Sequence, residues 1–241
     1  SGTYRQSAKF SPELIERDPE NRLLARGSRY RMDAEMVRDN ALAISGLFVP
    51  TVGGPSVKPY QPKGIWEEVS YGDKTFTAQY FEQDHGDALY RRSMYTFWKR
   101  QSPPPSMLIF DAPSREVCTA RRARTNTPLQ ALALMNDPQF VEAARMLAER
   151  MMKEAGPDPL ERMSYAFQLA TARKPAGEEC TVLVDTFAAQ LKTYRDKPDA
   201  ALELLSVGEA KRDESLDAAE LAAYTTIASM ILNLDETVSK G

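Results

Sequence analysis

The sequence predicts a mainly α-helical protein, an irregular multi-helix domain whose C-terminal half is an antiparallel helical bundle. Three observations lead to this fold class. After residue 125, capping side chains repeatedly stand before proline, apolar residues recur at helical spacing, and the connections are short. At 241 residues, with 42% hydrophobic and 27% charged side chains, the chain suits a single domain over 1–241.

The two sub-regions of this domain differ in charge and in proline content. Residues 1–125 carry 19 basic and 15 acidic side chains, net +4, together with 10 of the 16 prolines. Residues 126–241 carry 12 basic and 19 acidic side chains, net -7. The pattern predicts an irregular, basic sub-region over 1–125 and a helical, acidic one over 126–241.

The elements of the second half follow in order from their caps. Thr127 precedes Pro128 and Asp137 precedes Pro138, so helices are predicted to begin at both prolines. Gly156 with Pro157 ends the second helix. Further helices are predicted from 158 to about 170, from 175 to 195, from 198 to before 208, and from about 217 to 232. Leu129, Leu132 and Leu134 follow the first of these caps, and Val182, Leu183, Phe187 and Leu191 recur at helical spacing in the 175–195 helix.

The first half contains fewer regular signals. Ser11 and Asp18 each precede Pro-Glu and predict two short capped turns, while Asp33 predicts the cap of a helix with Val37, Ala41 and Ile44 on its buried face. Gly or Pro occupies 8 of the 19 positions from 46 to 64, which predicts a long loop, either functional or packed as a unit over the core. We further expect at most a small hairpin within 65–83, a helix from 87 to 103, and extended or irregular chain over 106–125.

Composition excludes several classes of function. No apolar run approaches the ~20 residues that a bilayer span needs. With one histidine and two cysteines, a zinc, haem or iron–sulfur centre built from these side chains is nearly excluded, so neither a metal site nor a cofactor is predicted. A formal net charge of -3 argues against whole-chain binding of a polyanion, and no nucleic acid partner is expected.

A basic segment interleaved with aromatic residues is the sharpest local signal. Residues 91–124 carry net +6, and guanidinium groups bind sulfate, phosphate or carboxylate while aromatic rings stack on sugars. Alternatively, several of the arginines pair with carboxylates of the acidic helical half. The candidate ligand-binding residues are Arg91, Arg92, Trp98, Arg115, Arg121, Arg122 and Arg124.

Catalytic signals are weaker. The candidates for acid/base chemistry are Asp84, His85 and Asp111. The other interpretation is that Asp84 or Asp87 caps a helix and that Asp111, before Ala-Pro, belongs to a turn. Glu67 and Glu68 could supply one carboxylate of a glycosidase pair, but nothing in the sequence identifies the second.

Cys118 and Cys180 stand 62 positions apart. They could pair in an oxidising compartment, whereas otherwise each is a small buried apolar residue, the interpretation favoured here.

Several long stretches resemble a known family. They read TYRQSAKF, NRLLARGSRYRMDAEMVRDNALAISG, GGPSVKPYQPKGIWEE, DALYRRSMYTFWKRQSPPPS, FDAPSREVCTARRARTNTPLQALALMNDPQFVEAA and ILNLDETVSK. Together these stretches, from Thr3 to Lys240, resemble a planctomycete-type C-terminal domain family of unknown function that accompanies planctomycete cytochrome c-type domains.

The resemblance implies where the protein is located and which domains accompany it, but it implies no catalytic residues. It implies that the chain is a C-terminal fragment, that upstream domains of the same protein are its partners, and that any haem sits on a companion domain. It also implies a periplasmic or cell-surface location in bacteria rich in polysaccharide-degrading enzymes. Two hypotheses follow: a non-catalytic binding or scaffold module that contacts an anionic polysaccharide, or an enzyme acting on such polysaccharides.

Overall fold

The computed structural model describes residues 1–69 and 80–240 and confirms a mainly helical protein. Its α-helices in chain order are α1 (Pro12–Arg17), α2 (Ala34–Ser45), α3 (Pro105–Ile109), α4 (Pro128–Asn136), α5 (Pro138–Glu154), α6 (Pro159–Thr171), α7 (Gly177–Asp196), α8 (Pro198–Leu205), α9 (Ala218–Leu232) and α10 (Asp235–Val238). Strand β1 (Tyr30–Arg31) pairs antiparallel with β2 (Ser239–Lys240), with Tyr30 opposite Lys240 and Arg31 opposite Ser239. This small sheet fastens the first half of the chain to its C-terminal end.

The core is centred on α9. Leu221, Tyr224, Ile227 and Ile231 of this helix are completely buried. Helices α5, α6, α7 and α8 pack around it, and the ring of Phe187 in α7 stacks on Tyr224 at 4.3 Å between centroids. Burying one such large apolar side chain stabilises the fold by about 1.5–3 kcal/mol. Most residues of the main buried cluster lie after residue 125, so the acidic half of the chain supplies most of the described core.

The predicted helix starts of the second half are confirmed. The side chains of Thr127, Asp137, Asp158 and Asp217 each accept a hydrogen bond from a backbone N–H in the first turn of the following helix. Proline occupies the first turn in the first three, where its missing N–H removes no intrahelical bond. Ser11 caps α1 in the same way and accepts from the Leu14 N–H, whereas Asp33 precedes α2 but its side chain makes no capping hydrogen bond, so that predicted cap is wrong.

The three leucines of α4 lie in different environments. Leu134 is buried, but Leu129 and Leu132 are 56% and 54% exposed. The face of α4 that points inward instead carries Gln130, which is 1% exposed and donates to the carbonyl of Ile109 at 2.9 Å. Val182 in α7 is 56% exposed, whereas Leu183 and Phe187 of the same predicted pattern are buried.

The predicted helix over 87–103 is wrong. Two short 3₁₀ turns, Gly86–Tyr90 and Ser93–Tyr95, stand in its place. The backbone of this segment bonds to a different part of the chain: the Tyr90 and Tyr95 carbonyls accept from the N–H groups of Val49 and Val57, and the Phe97 N–H donates to Val57. A long-range backbone partner outweighs the local helical pattern here.

The Gly/Pro loop over 46–64 is therefore packed as a unit against residues 90–97. The hairpin expected within 65–83 lies largely outside the described residues. The prediction of extended or irregular chain over 106–125 is wrong for residues 106–109, which belong to α3, whereas residues 110–125 are irregular as predicted. Within the described ranges, no helix combines the length and the apolar character needed to cross a membrane.

Acidic pH is expected to destabilise the fold through two carboxylates. Hydrogen bonds from Arg150 and Tyr165 lower the pKa of Glu154 to about 2, and those from Arg173 and the Ala176 N–H lower that of Glu179 to about 2. Because these values lie below the unfolded one, the stabilisation is full above about pH 4.5 and is lost as the pH falls toward 2. Urea unfolding between about pH 6 and about pH 3 measures the loss.

The matched variant for this test is Glu179→Gln. Its stability should fall less steeply with acid than that of the parent chain, because one of the titrating groups is gone. An identical acid dependence in the two chains would contradict the assignment.

Candidate functional site

The arginines that cluster in the sequence do not form one surface. Arg91 is 8% exposed, and its guanidinium donates to the carbonyls of Gly53 and of Pro55, the latter at 2.9 Å. It also lies 4.2 Å from the ring centroid of Tyr95. Arg91 therefore holds the Gly/Pro loop in place, with its charge inside the fold.

Trp98 has its own partners. Its indole N–H donates to the Ser114 carbonyl at 2.9 Å, and the Arg115 guanidinium lies 4.6 Å from its ring centroid. This cation–π contact covers one face of the ring, so Trp98 and Arg115 form a pair that fastens residues 114–115 to the 90–100 segment.

The last three arginines converge on one concavity. It has a volume of about 420 Å³ and is lined by Arg121, Arg122 and Arg124 together with Asp33, Thr119 and Ala120. Arg121 and Arg124 are exposed, and the guanidinium of Arg124 lies 5.0 Å from the ring of Tyr30. Asp33 is the carboxylate that lines it, so the exposed guanidinium groups of Arg121 and Arg124 give the concavity a positive potential even though Arg122 is paired with Glu35. We call it the arginine concavity.

Arg122 is fixed by a two-pronged ion pair with α2. Its two terminal nitrogens donate to the carboxylate oxygens of Glu35 at 2.6 and 3.1 Å. The hydrogen bond that Arg122 donates to Glu35 raises the pKa of Arg122. Burial raises the pKa of Glu35, but the hydrogen bonds and charge of Arg122 outweigh it and leave a value below the ordinary one. Among the described contacts of these arginines, the carboxylate partner is Glu35. It lies in the first half of the chain and not in the acidic helices.

A second, larger cleft lies elsewhere on the molecule. It has a volume of about 900 Å³ between the 60–63 segment, α3, the α4–α5 junction and the turn at 207–209. Tyr60, Asp137 and Glu209 are among its polar lining residues, and prolines 62, 105 and 138 supply much of its apolar wall. Burial raises the pKa of Asp137, whose carboxylate caps α5.

His85 stands beside this cleft. Its Nδ1 lies 2.8 Å from Oε2 of Glu209, whose other oxygen accepts from the Gly86 N–H at 2.8 Å. These two hydrogen bonds, that of His85 first, lower the pKa of Glu209. The carboxylate thus orients the imidazole, which is the arrangement that a general base requires.

A buried carboxylate lies behind the wall of the cleft. Glu142 in α5 is 1% exposed and accepts from the Tyr90 hydroxyl at 2.9 Å and from the Ala210 N–H at 2.6 Å. Burial, followed by the charge of Glu142, raises the pKa of Tyr60 to about 12. These contacts fix the 207–210 turn, and with it Glu209, against α5.

Sequence comparison places the chain in a family. The family model described as "PSD1: Protein of unknown function (DUF1553)" matches residues 1–187. This chain belongs to the PSD1 family. No curated protein and no solved structure matches it.

The matched range of the PSD1 chain contains one candidate site completely and the other in part. All residues of the arginine concavity lie within 1–187, whereas the 207–209 wall of the cleft, with Glu209, lies beyond it. The matched range also ends inside α7, before the central helix α9.

The carboxylates predicted as acid/base candidates have different hydrogen-bond partners in this structure. Asp84 accepts from the Lys58 N–H at 2.6 Å and does not cap a helix, because the 3₁₀ turn that follows is preceded by His85. Asp111 accepts from the N–H of Thr125 at 2.7 Å and from its hydroxyl. Glu67 and Glu68 are both exposed. His85, Asp84 and Asp111 thus make no hydrogen bond to one another among the described contacts.

The two cysteines are free thiols. Cys180 is half-buried, and its Sγ contacts the Pro175 carbonyl at 3.8 Å. The favoured expectation of a buried residue is wrong for Cys118, which is exposed because the irregular 115–121 segment lies at the surface.

The sequence does not indicate a role for Tyr60, Glu142 or Glu209 in a site. These residues meet across separations of up to 149 positions, and no short motif joins them. A turn signal was present at Gly208, but nothing in the sequence indicated that the next residue would reach His85.

Proposed function

We propose that this PSD1 chain is a non-catalytic helical binding module that holds an anionic ligand in the arginine concavity. The observation that carries the proposal is the convergence of Arg121, Arg122 and Arg124 on one concave surface that contains a single carboxylate, Asp33. Guanidinium groups match sulfate and carboxylate groups through paired N–H donors, and each charge-assisted hydrogen bond contributes about 1.5–3 kcal/mol.

The ligand class that this chemistry favours is an anionic polysaccharide. Arg122 is already bonded to Glu35 and serves as a fixed wall, so the exposed Arg121 and Arg124 are the groups that bind the ligand. Tyr30 lies beneath Arg124 and adds an aromatic surface beside the charge, which suits a sugar ring carrying a sulfate or carboxylate.

The proposed location and companion domains of the protein are supported by the family resemblance and not by the geometry of the site. We place the chain in an exported, periplasmic or cell-surface bacterial protein, with upstream domains of the same protein as its partners. Any haem would belong to a companion cytochrome c-type domain. In such a protein the PSD1 chain would act as a scaffold that tethers its neighbours to anionic polysaccharide.

The test is affinity electrophoresis through gels that contain sulfated, carboxylated or neutral polysaccharide, at low and moderate salt. The parent chain should be retarded by the sulfated gel in a salt-sensitive way. The double variant Arg121→Gln/Arg124→Gln should bind about tenfold more weakly per arginine removed.

A charge-matched control separates local recognition from general attraction. Arg92 and Arg100 are exposed and do not line the arginine concavity, so Arg92→Gln/Arg100→Gln removes the same charge elsewhere. This control should remain retarded. Equal retardation of both double variants, or no retardation of the parent chain in any gel, would contradict the proposed function.

A second candidate function is catalytic, and the pairing of His85 with Glu209 beside the 900 Å³ cleft favours it. In this function His85 is the base, Glu209 orients it, and the substrate is a polysaccharide. Asp84 and Asp111 are the other carboxylates to be tested. Turnover of a polysaccharide that survives both His85→Ala and Asp111→Asn would remove these residues from the mechanism.

A further inference from the structure

The outer face of α4 is apolar and uncovered. This helix of nine residues contains no charged side chain. Leu129, Leu132 and Met135, spaced three residues apart, are 56%, 54% and 52% exposed. Residues at this spacing share one side of a helix, so the three side chains form a continuous apolar stripe. We call it the α4 stripe.

The stripe continues into an apolar groove. Met135 is one wall of a depression of about 550 Å³ between the end of α4 and helices α6, α7 and α9. Val182, which is 56% exposed, and Met230 line the same groove. A contiguous exposed apolar surface of this kind marks an interaction site on a soluble protein.

The two ends of the stripe carry opposite charges. Arg121 and Arg124 precede the N-terminal end of α4, and Arg124 lies four positions before Pro128. At the other end, Glu178 and Glu179 line the groove beside Met135. Glu179 is paired with Arg173, whereas Glu178 makes no ion pair within the described part of the chain.

We propose that the α4 stripe is the interface of a homodimer, in which it packs against the same stripe of a second copy. A two-fold axis through Leu132 would place Leu132 against Leu132 of the second copy, and Leu129 against Met135 of the second copy. The antiparallel arrangement sets Arg124 beside Glu178 of the second copy, so opposite charges meet at both ends of the stripe.

Self-complementarity distinguishes a second copy from an unrelated partner. The stripe is basic at its start and acidic at its end. A single two-fold axis places the basic end of each copy beside the acidic end of the other, so the same favourable contact forms twice. Antiparallel packing also places the positive end of each helix dipole beside the negative end of the other, which is favourable. The interface consists of one face of a nine-residue helix and the adjoining groove, which is small compared with the interfaces of stable dimers, so the dimer should form reversibly with concentration.

Sedimentation velocity from low micromolar to near-millimolar concentration tests the proposal. The parent chain should shift from monomer to dimer. Leu132→Glu places two carboxylates face to face on the axis and should leave only monomer. Its matched control is Leu202→Glu in α8, where a leucine that is 45% exposed lies outside the stripe, and this variant should dimerise like the parent chain.

Two further variants test the register of the interface. With the exposed thiol removed by Cys118→Ser, a Leu132→Cys variant should form an intermolecular disulfide across the axis, whereas Leu202→Cys should not. Glu178→Arg and Arg124→Glu should each weaken the dimer, and the chain with both changes should recover it. A parent chain that stays monomeric throughout, or a dimer that survives Leu132→Glu, would overturn the proposal. Arg124 takes part in both proposals, but Leu132→Glu leaves every residue of the arginine concavity unchanged, so its outcome does not depend on the anion-binding function.

Discussion

Gly208→Ala should lower the free energy of unfolding by about 4 kcal/mol. Gly208 has a φ of 91°, a left-handed conformation that costs an alanine about 1–2 kcal/mol. A Cβ at this position would also lie 2.3 Å from the carboxyl carbon of Glu142. Glu142 is buried and bonded to Tyr90 and Ala210, so it could move aside only by losing these hydrogen bonds. Urea denaturation of the full chain measures the loss.

Gly53→Ala is the control for the backbone contribution. Gly53 has a similar φ of 84°, but a Cβ there would meet nothing within 4 Å. Gly53→Ala should therefore lower the free energy of unfolding only by the cost of the left-handed backbone conformation, about 1–2 kcal/mol. In a Glu142→Ala background the cost of Gly208→Ala should fall to the same level, because the colliding group is gone. Equal costs of the two glycine substitutions in the parent chain would show that Glu142 does not matter at Gly208.

The part of the fold that the sequence predicts best is the part with local signals. Thr127 and Asp137 mark their helices because a capping side chain and a following proline act within one turn. Residues 87–103 show the opposite case. Their apolar spacing favours a helix, but bonds to Val49 and Val57, some 40 positions upstream, fix an irregular backbone. No local pattern reveals such a partner.

The residues of the candidate sites also divide into those that local sequence signals predict and those that depend on long-range contacts. Arg121, Arg122 and Arg124 could be predicted together because they are close in sequence and no acidic residue lies among them. That Arg91 would be buried under the Gly/Pro loop, or that Glu35 would hold Arg122, depends on contacts over 36 to 87 positions. The pairing of His85 with Glu209 spans 124 positions. For such pairs the residue types suggest chemistry, but only the fold selects partners.

Arg38→Met should also destabilise the protein strongly, by about 3–5 kcal/mol. Arg38 in α2 is 2% exposed, and its guanidinium donates to Gln139 in α5 at 2.8 Å. It also donates to the carbonyl of Arg91 at 2.9 Å, to the Ser93 hydroxyl at 3.1 Å and to the Leu89 carbonyl. A thioether of similar length would leave these buried acceptors without a donor.

Lysine at position 38 should recover only part of the loss, because an ammonium group keeps the charge but lacks the planar set of donors that reaches three elements. The exposed Arg17, paired with Glu13 across one helical turn, gives the control: Arg17→Met should change stability by less than about 0.5 kcal/mol. Thermal and urea unfolding measure both variants. If Arg38→Met cost no more than Arg17→Met, Arg38 would not hold the fold together.

Hydrogen exchange identifies which part of the structure is destabilised in the Arg38→Met variant. The N–H groups of Val49 and Val57 donate to carbonyls of the 90–95 segment, which Arg38 anchors to α2 and α5. Without that anchor these amides should exchange faster than amides in α9, whose packing does not involve Arg38. The same segment begins beside His85 and Gly86, so its loosening should also release Glu209 from its partners. Arg38 would then be the residue through which the helical core positions the irregular basic half of the chain.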